Sequence, residues 1–194
     1  MTSAGEAGDD ADVIAASLRH PERFAAVFDR HAAHIHRYLA RRLGGQLAED
    51  LTGETFLIAF GGRGRYDPAF PSARPWLYGI ATNLVGQRRR EEAREYRLRA
   101  SLEPPAEQVS HADRVAERVT AQAMHGRLAG ALAGLSCGDR DVLLLIAWEG
   151  LAYEEVATAL GIPVGTVRSR LNRARRKVRA ELGHTPAEEV SNHG

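Results

Sequence analysis

The stretch Val164-Gly165-Thr166-Val167-Arg168-Ser169-Arg170-Leu171-Asn172-Arg173-Ala174-Arg175-Arg176-Lys177-Val178-Arg179 decides how this chain is read. Val164, Val167, Leu171, Ala174 and Val178 recur at steps of three and four, so a helix through them is apolar along one face and can dock on a core. At about 100° per residue, Ser169, Asn172, Arg173 and Arg176 project opposite that seam, Arg168 and Arg170 flank them, and Gly165 leaves the start open to close approach. Immediately upstream, Tyr153-Glu154-Glu155-Val156-Ala157-Thr158-Ala159-Leu160 is a short amphipathic helix and Gly161-Ile162-Pro163 a turn, which makes a helix-turn-helix. In that motif the second helix enters the major groove, where Arg pairs bidentately with guanine and Asn with adenine. An Arg-rich helix alone would read as a solvated basic face. The Glu-Glu-x-Ala helix, the Gly-x-Pro turn and the Val-Gly-Thr-Val-Arg start together favour DNA binding.

With 194 residues, the chain suits one or two small domains. A net charge of +1 does not mark a nucleic-acid binder, but its distribution does: Val164 to Leu182 holds seven basic residues and one acidic, whereas Glu6, Asp9, Asp10 and Asp12 make the N-terminus acidic. The longest apolar run, Val142 to Trp148, is far short of the roughly 20 residues a membrane span requires. No apolar secretory region precedes the acidic start, so no membrane insertion and a cytoplasmic location are expected. Cys137 is the only cysteine, which rules out an internal disulfide and any multi-cysteine zinc site.

Residues 1–9 read as disordered. Asp10 is expected to cap a helix through Leu18, and Pro21 to open a helix ending at Gly44-Gly45, with Phe24, Val27, Phe28, Ile35, Tyr38 and Leu39 as its core stripe. His31, His34 and His36 do not share one helix face and have no carboxylate or thiol at ligand spacing, so no metal site and no cofactor are expected. Ala48 to Phe60 reads as a helix with Leu51, Thr55 and Ile58 inward and Asp50 and Glu54 as an acidic edge. With no nucleophile or base patterned around them, those carboxylates suit a protein contact or a solvated face better than catalysis. Gly61 to Pro75 is a loop by composition, carrying Arg63, Arg65, Tyr66 and Phe70, a mixture that can hold unstacked bases or simply anchor a surface loop. The helix from Trp76 has a Leu77, Ile80, Leu84 seam and runs into six Arg against three Glu between Arg88 and Arg99. Pro104-Pro105 marks a linker over 100–112. A helix over 113–133 then turns Val115, Val119, Met124, Leu128 and Leu132 inward, and Ser136 to Asp139 caps the next helix, closed by Glu149-Gly150. No strand pattern occurs, so the fold class is all-α.

The order of these features resembles the bacterial RNA polymerase sigma factors of the sigma-70 type, in particular the small extracytoplasmic-function (ECF) group. The resemblance covers about residues 22–182 and rests on three stretches in order. They are Asp50-Leu51-Thr52-Gly53-Glu54-Thr55-Phe56, Trp76-Leu77-Tyr78-Gly79-Ile80-Ala81-Thr82-Asn83, and Tyr153-Glu154-Glu155-Val156-Ala157 followed by Gly161 to Arg170. It implies a sigma2 domain over 10–99, a flexible linker, a sigma4 domain over 113–182 and a C-terminal tail over 183–194. It further implies that Asp50, Leu51, Thr52, Glu54, Thr55 and Phe56 dock on the β′ coiled coil of core RNA polymerase, and that the second domain meets the β flap. Tyr66, Asp67, Trp76, Asn83, Arg88 and Arg89 would take the −10 element of promoter DNA. Arg168, Ser169, Asn172, Arg173 and Arg176 would read the −35 element, with Tyr153, Arg170 and Lys177 on its phosphates. An anti-sigma factor would restrain the free protein. The competing reading is a dimeric helix-turn-helix regulator on duplex DNA, which leaves the acidic helix and the Arg/aromatic loop without a role. An enzyme finds no support, since no phosphate-cradling loop or nucleophile constellation is present.

Overall fold

The structure, a computed structural model, describes residues 9–102 and 119–183. Among these the regular structure is helical throughout: α1 (Asp10–Ser17), α2 (Ala25–Leu43), α3 (Gly45–Gly62), α4 (Arg74–Leu102), α5 (Val119–Ala133), α6 (Cys137–Ala147), α7 (Tyr153–Leu160) and α8 (Val164–Gly183). Short 3-10 turns at Pro21–Phe24 and Arg63–Arg65 lead into α2 and out of α3. The expected N-terminal segment through residue 8, the linker from 103, Val115 and the tail from 184 lie outside the described residues.

In the first domain α1 to α4 wrap a core of Ile14, Phe24, Val27, Ile35, Tyr38, Leu39, Leu77, Tyr78 and Val85. Its start differs from the sequence expectation. Asp9 is the cap, its carboxylate accepting from the Ala11 N–H at 3.2 Å, and Asp10 turns into the core. There Asp10 accepts from Ala73 N–H at 2.8 Å, meets His31 Nε2 at 2.7 Å and accepts from Arg30 at 2.9 Å. This network ties α1 and α2 to the start of α4. A buried carboxylate needs such partners to stay ionised. Burial alone would raise the pKa of Asp10, yet the Ala73, Arg30 and His31 bonds bring it below the ordinary carboxylate value. His31 is therefore a structural residue, while His34 is exposed.

Gly44, at φ +87°, ends α2 as expected, but α3 restarts at once on Gly45. Three residues expected inward face out: Phe28 and Ile58 are each 44% exposed and Leu128 is 40% exposed. The inward row of α3 is Ala48, Leu51, Thr52, Thr55, Phe56 and Ala59, because Thr52 and Thr55 return their hydroxyls to the carbonyls of Ala48 and Leu51 and can be buried without cost to the core. Ile58 is displaced from the centre of that row by about a quarter of a turn.

The second domain forms around α6 and α8. Ser136 caps α6 by accepting from Asp139 N–H, as expected, and Gly150 and Gly161 supply the left-handed residues that end α6 and α7. The two domains are docked, and one contiguous apolar cluster runs from Leu77 and Tyr78 through Val142, Leu145, Val156, Val167 and Leu171.

Candidate nucleic-acid interface

α7, the turn at Gly161 and α8 form the expected helix-turn-helix. Val167, Leu171 and Ala174 are buried, and Val164 and Val178 are half-buried at either end of the seam. The opposite side, Arg168, Ser169, Asn172, Arg173 and Arg176, is exposed. Gly165 has no neighbour within 4 Å of where a Cβ would stand, so the entrance to this face is open. Arg173 is not idle: it pairs with Asp139 of α6 at 3.0 Å. Burial works to raise the pKa of Asp139, but that pairing, with the Ser136 hydrogen bond, sets it below the usual range. Of the three residues expected on phosphates, Tyr153 is half-buried on α7, Lys177 donates to the Gly134 carbonyl at 2.5 Å, and Arg170 packs over Gly138 at the start of α6.

Between the 3-10 turn after α3 and the start of α4 lies a cavity of about 380 Å³, of the size of small-ligand clefts. Tyr66, Asp67, Trp76 and Asn83 line it together, along with Arg65 and Phe70. The Tyr66 and Trp76 rings lie 5.0 Å apart at 54°, and the Tyr66 hydroxyl donates to the Phe70 carbonyl at 2.7 Å, which fixes the loop's path. Burial, with Asp10, Asp9 and Asp67 nearby, pushes the Tyr66 hydroxyl up to about 12, so it stays a donor. A pocket with two aromatic walls and an amide at its edge can stack a flat ring and read its polar rim. Arg88 and Arg89 do not join this pocket. Arg89 lines a separate cleft towards α6 and α8, and Arg88 faces Asp50 and Glu54 across a groove between α3 and α4.

The acidic helix needs the largest correction. Asp50 and Glu54 are exposed, but Leu51, Thr52, Thr55 and Phe56 are at most 8% exposed and belong to the first domain's interior. They hold α3 in place, and of the four Leu51 also lines the groove between α3 and α4 beside Asp50 and Glu54. The face α3 does offer is Asp50, Gly53, Glu54, Leu57 and Ile58, with Leu57 71% exposed and Phe28 of α2 beside it, its ring 4.8 Å from that of Phe56.

Comparison with known proteins places this chain in a family. Residues 27–95 match the model for sigma-70 region 2 and residues 125–178 the model for sigma-70 region 4. RNA polymerase sigma factor CarQ of Myxococcus xanthus is 34% identical over 168 residues, covering 86% of this chain and 93% of CarQ. ECF RNA polymerase sigma factor SigL of Mycobacterium tuberculosis is 32% identical, covering 89% of this chain and 96% of SigL. This chain belongs to the ECF RNA polymerase sigma factors. The sigma factor is also similar to SigE of Mycolicibacterium smegmatis, at 36% identity over 82% of its own length and 61% of SigE. CnrH, solved in complex with the cytosolic domain of CnrY, shares its fold at a TM-score of 0.62 and 25% identity, covering 90% of this sigma factor and 97% of that chain. The two family matches fall on the two helical domains.

Sequence reading missed Leu57 and Ile58 as outward residues of this sigma factor. The signal was present, since Thr52 and Thr55 can take inward places by bonding to their own helix, which shifts the inward row away from Ile58. It also missed Glu149, a buried carboxylate that accepts from the Tyr78 hydroxyl at 2.5 Å. No local pattern marks that residue, because its partner is 71 positions away.

Proposed function

We propose that this sigma factor binds core RNA polymerase and directs it to promoters, with α8 reading a −35 element and the Tyr66/Trp76 pocket capturing a flipped base of the −10 strand. The observation that carries the proposal is the combination, in one chain, of a solvent-facing Arg/Asn/Ser helix face with a separate aromatic pocket edged by Asn83. Duplex readout and single-strand capture call for these two different surfaces. Local melting then needs no covalent chemistry, only tighter binding of unstacked bases than of stacked ones. Core attachment uses the exposed Asp50, Glu54, Leu57 and Ile58 ridge against the β′ coiled coil, and the second domain meets the β flap. An anti-sigma factor restrains the free protein in the bacterial cytoplasm, and the CnrH neighbour, solved with a partner chain, is in keeping with that. The division into domains at 10–99 and 113–182 belongs to the same proposal.

Run-off transcription with bacterial core polymerase, with and without the protein, on fragments of its own upstream region tests this. Discrete protein-dependent starts are expected. Tight duplex binding without any transcript would instead favour the dimeric regulator.

A further inference from the structure

Where α4 meets the second domain, Gly79 lies so close to the Ala159 carbonyl oxygen that a Cβ there would overlap it. One turn further along α4 the contact opens into a cleft of about 450 Å³, a volume that suits a small ligand rather than a duplex. Its walls carry uncompensated positive charge. Arg89, Arg90 and Arg97 of α4 and Arg170 of α8 line it, and none of the four forms an ion pair among the described residues. Arg97 uses one nitrogen, Nε, on the Ala93 carbonyl of its own helix at 3.0 Å, which leaves its terminal nitrogens for another acceptor. The one carboxylate lining the cleft, Asp141, is taken by Arg42 at 2.6 Å. Arg42, a fifth lining cation, has only 2% of its side chain exposed and a buried Nε with no partner.

Cations crowded in this way repel one another, the more so where protein replaces water. Burial, and after it the charges of Arg42 and Arg140, lower the pKa of Arg89. The start of α6 adds to the same field. Cys137, its first residue, is on the cleft wall, and a Cβ built on Gly138 would stand 2.6 Å from Nη1 of Arg170. A guanidinium therefore lies against the helix end that favours anions and repels cations. An anion seated between these groups turns each repulsion into an attraction. Guanidinium forks pair bidentately with phosphate oxygens, which suits phosphate above other anions. Arg90 and Arg97 stand two turns apart, about 10 Å along α4, so a chain of phosphates meets both more readily than a single phosphate does. Gly86 and Ala93 line the same wall and leave room for it.

We propose that this cleft binds a compact polyphosphate, a bare oligophosphate or the phosphate chain of a nucleotide, through Arg89, Arg90 and Arg97 of the first domain and Arg170 of the second. Because the ligand touches both domains, it stabilises their contact by mass action, and the domain arrangement responds to the concentration of a phosphate-rich small molecule. The site does not depend on the promoter surfaces proposed above.

Cys137, the only cysteine, is exposed and lines the cleft, so its alkylation by the uncharged reagent N-ethylmaleimide reports occupancy. The test uses the full chain with inorganic tripolyphosphate and magnesium-free ATP as probes, at constant ionic strength. The probes should slow alkylation saturably, roughly tenfold at about ten times the dissociation constant. Arg170→Ala, and independently the exposed Arg90→Ala in the other domain, should weaken binding by about tenfold or more. Arg175→Ala, which removes an exposed arginine elsewhere on α8, should leave it unchanged. Equal affinity for the two probes would identify the phosphate chain alone as the ligand, and tighter ATP a nucleotide. No protection by either probe would overturn the site, and protection by a single-stranded oligonucleotide alone would reassign these arginines to a DNA backbone. Equal weakening by Arg175→Ala and Arg170→Ala would overturn it in favour of general attraction to a basic surface.

Discussion

Replacing Asp141 by Ala is the most informative single perturbation of the docked protein. Arg42 lies with only 2% of its side chain exposed, its partner Asp141 with 18%. The guanidinium is held on one side by the Tyr38 hydroxyl at 2.5 Å, which itself meets the Thr82 hydroxyl at 2.8 Å, and its Nε already lacks a partner. Removing Asp141 while the domains stay docked leaves a buried cation with one neutral hydrogen bond. Breaking a buried pair in this way costs about 3–5 kcal/mol. The chain has a second option, because Asp141 is on α6 and Arg42 on α2: undocking returns Arg42 to water. The observed loss is therefore capped by the docking free energy, and the smaller of the two terms wins. Asp141→Asn keeps an oxygen acceptor and should lose less, about 1–2 kcal/mol. Calorimetry with both variants distinguishes the outcomes. The expected result for Asp141→Ala is two separate unfolding transitions, the first domain's midpoint nearly unchanged, with the Asn variant between it and the unsubstituted protein. A single cooperative transition lowered by the full buried-pair cost would refute the reasoning, since it would mean that the domains cannot separate before they unfold.

Arg173→Ala should weaken −35 duplex binding by about 1–3 kcal/mol, from roughly fivefold to over a hundredfold, while core polymerase binding measured by gel filtration stays intact. Equal loss of both would remove Arg173 from the base-reading face. On α3, Leu57→Glu should abolish core binding with little change in melting temperature, whereas Phe56→Ala should cost about 3–5 kcal/mol of stability by opening a cavity in the first domain. The reverse pattern would mean that α3 presents its other face. Asp10→Asn should destabilise the first domain by about 1–3 kcal/mol, because an amide oxygen replaces a carboxylate accepting from Ala73 and Arg30. As the pKa of Asp10 is lowered on folding, its contribution is full above the ordinary carboxylate value near about 4 and fades as pH falls through the folded value. Urea titrations should show the two proteins converging in acid, and a constant gap down to the lowest pH would contradict the assignment.

The sequence by itself determined the all-α class, the helix-turn-helix and the candidate reading face of α8. Those depend on short-range periodicity, on caps such as Ser136 and Gly161, and on side chains that share a helix face, all of which are set within a few residues. It also carried the family, because three stretches in order constrain more than any one. Thr52 and Thr55 can bury their hydroxyls on their own helix, but only tertiary packing decided which flank of α3 lies inside, and so that Leu57 and Ile58 rather than Thr52 and Phe56 are presented to a partner. It alone turned Asp10 from a cap into the centre of a buried network, and joined Tyr78 to Glu149, Arg42 to Asp141 and Gly79 to Ala159. Such pairings depend on how completed helices stack. Partners 71 and 99 positions apart leave no periodic trace in the chain, and whether a pocket is open or roofed is a property of the packed molecule.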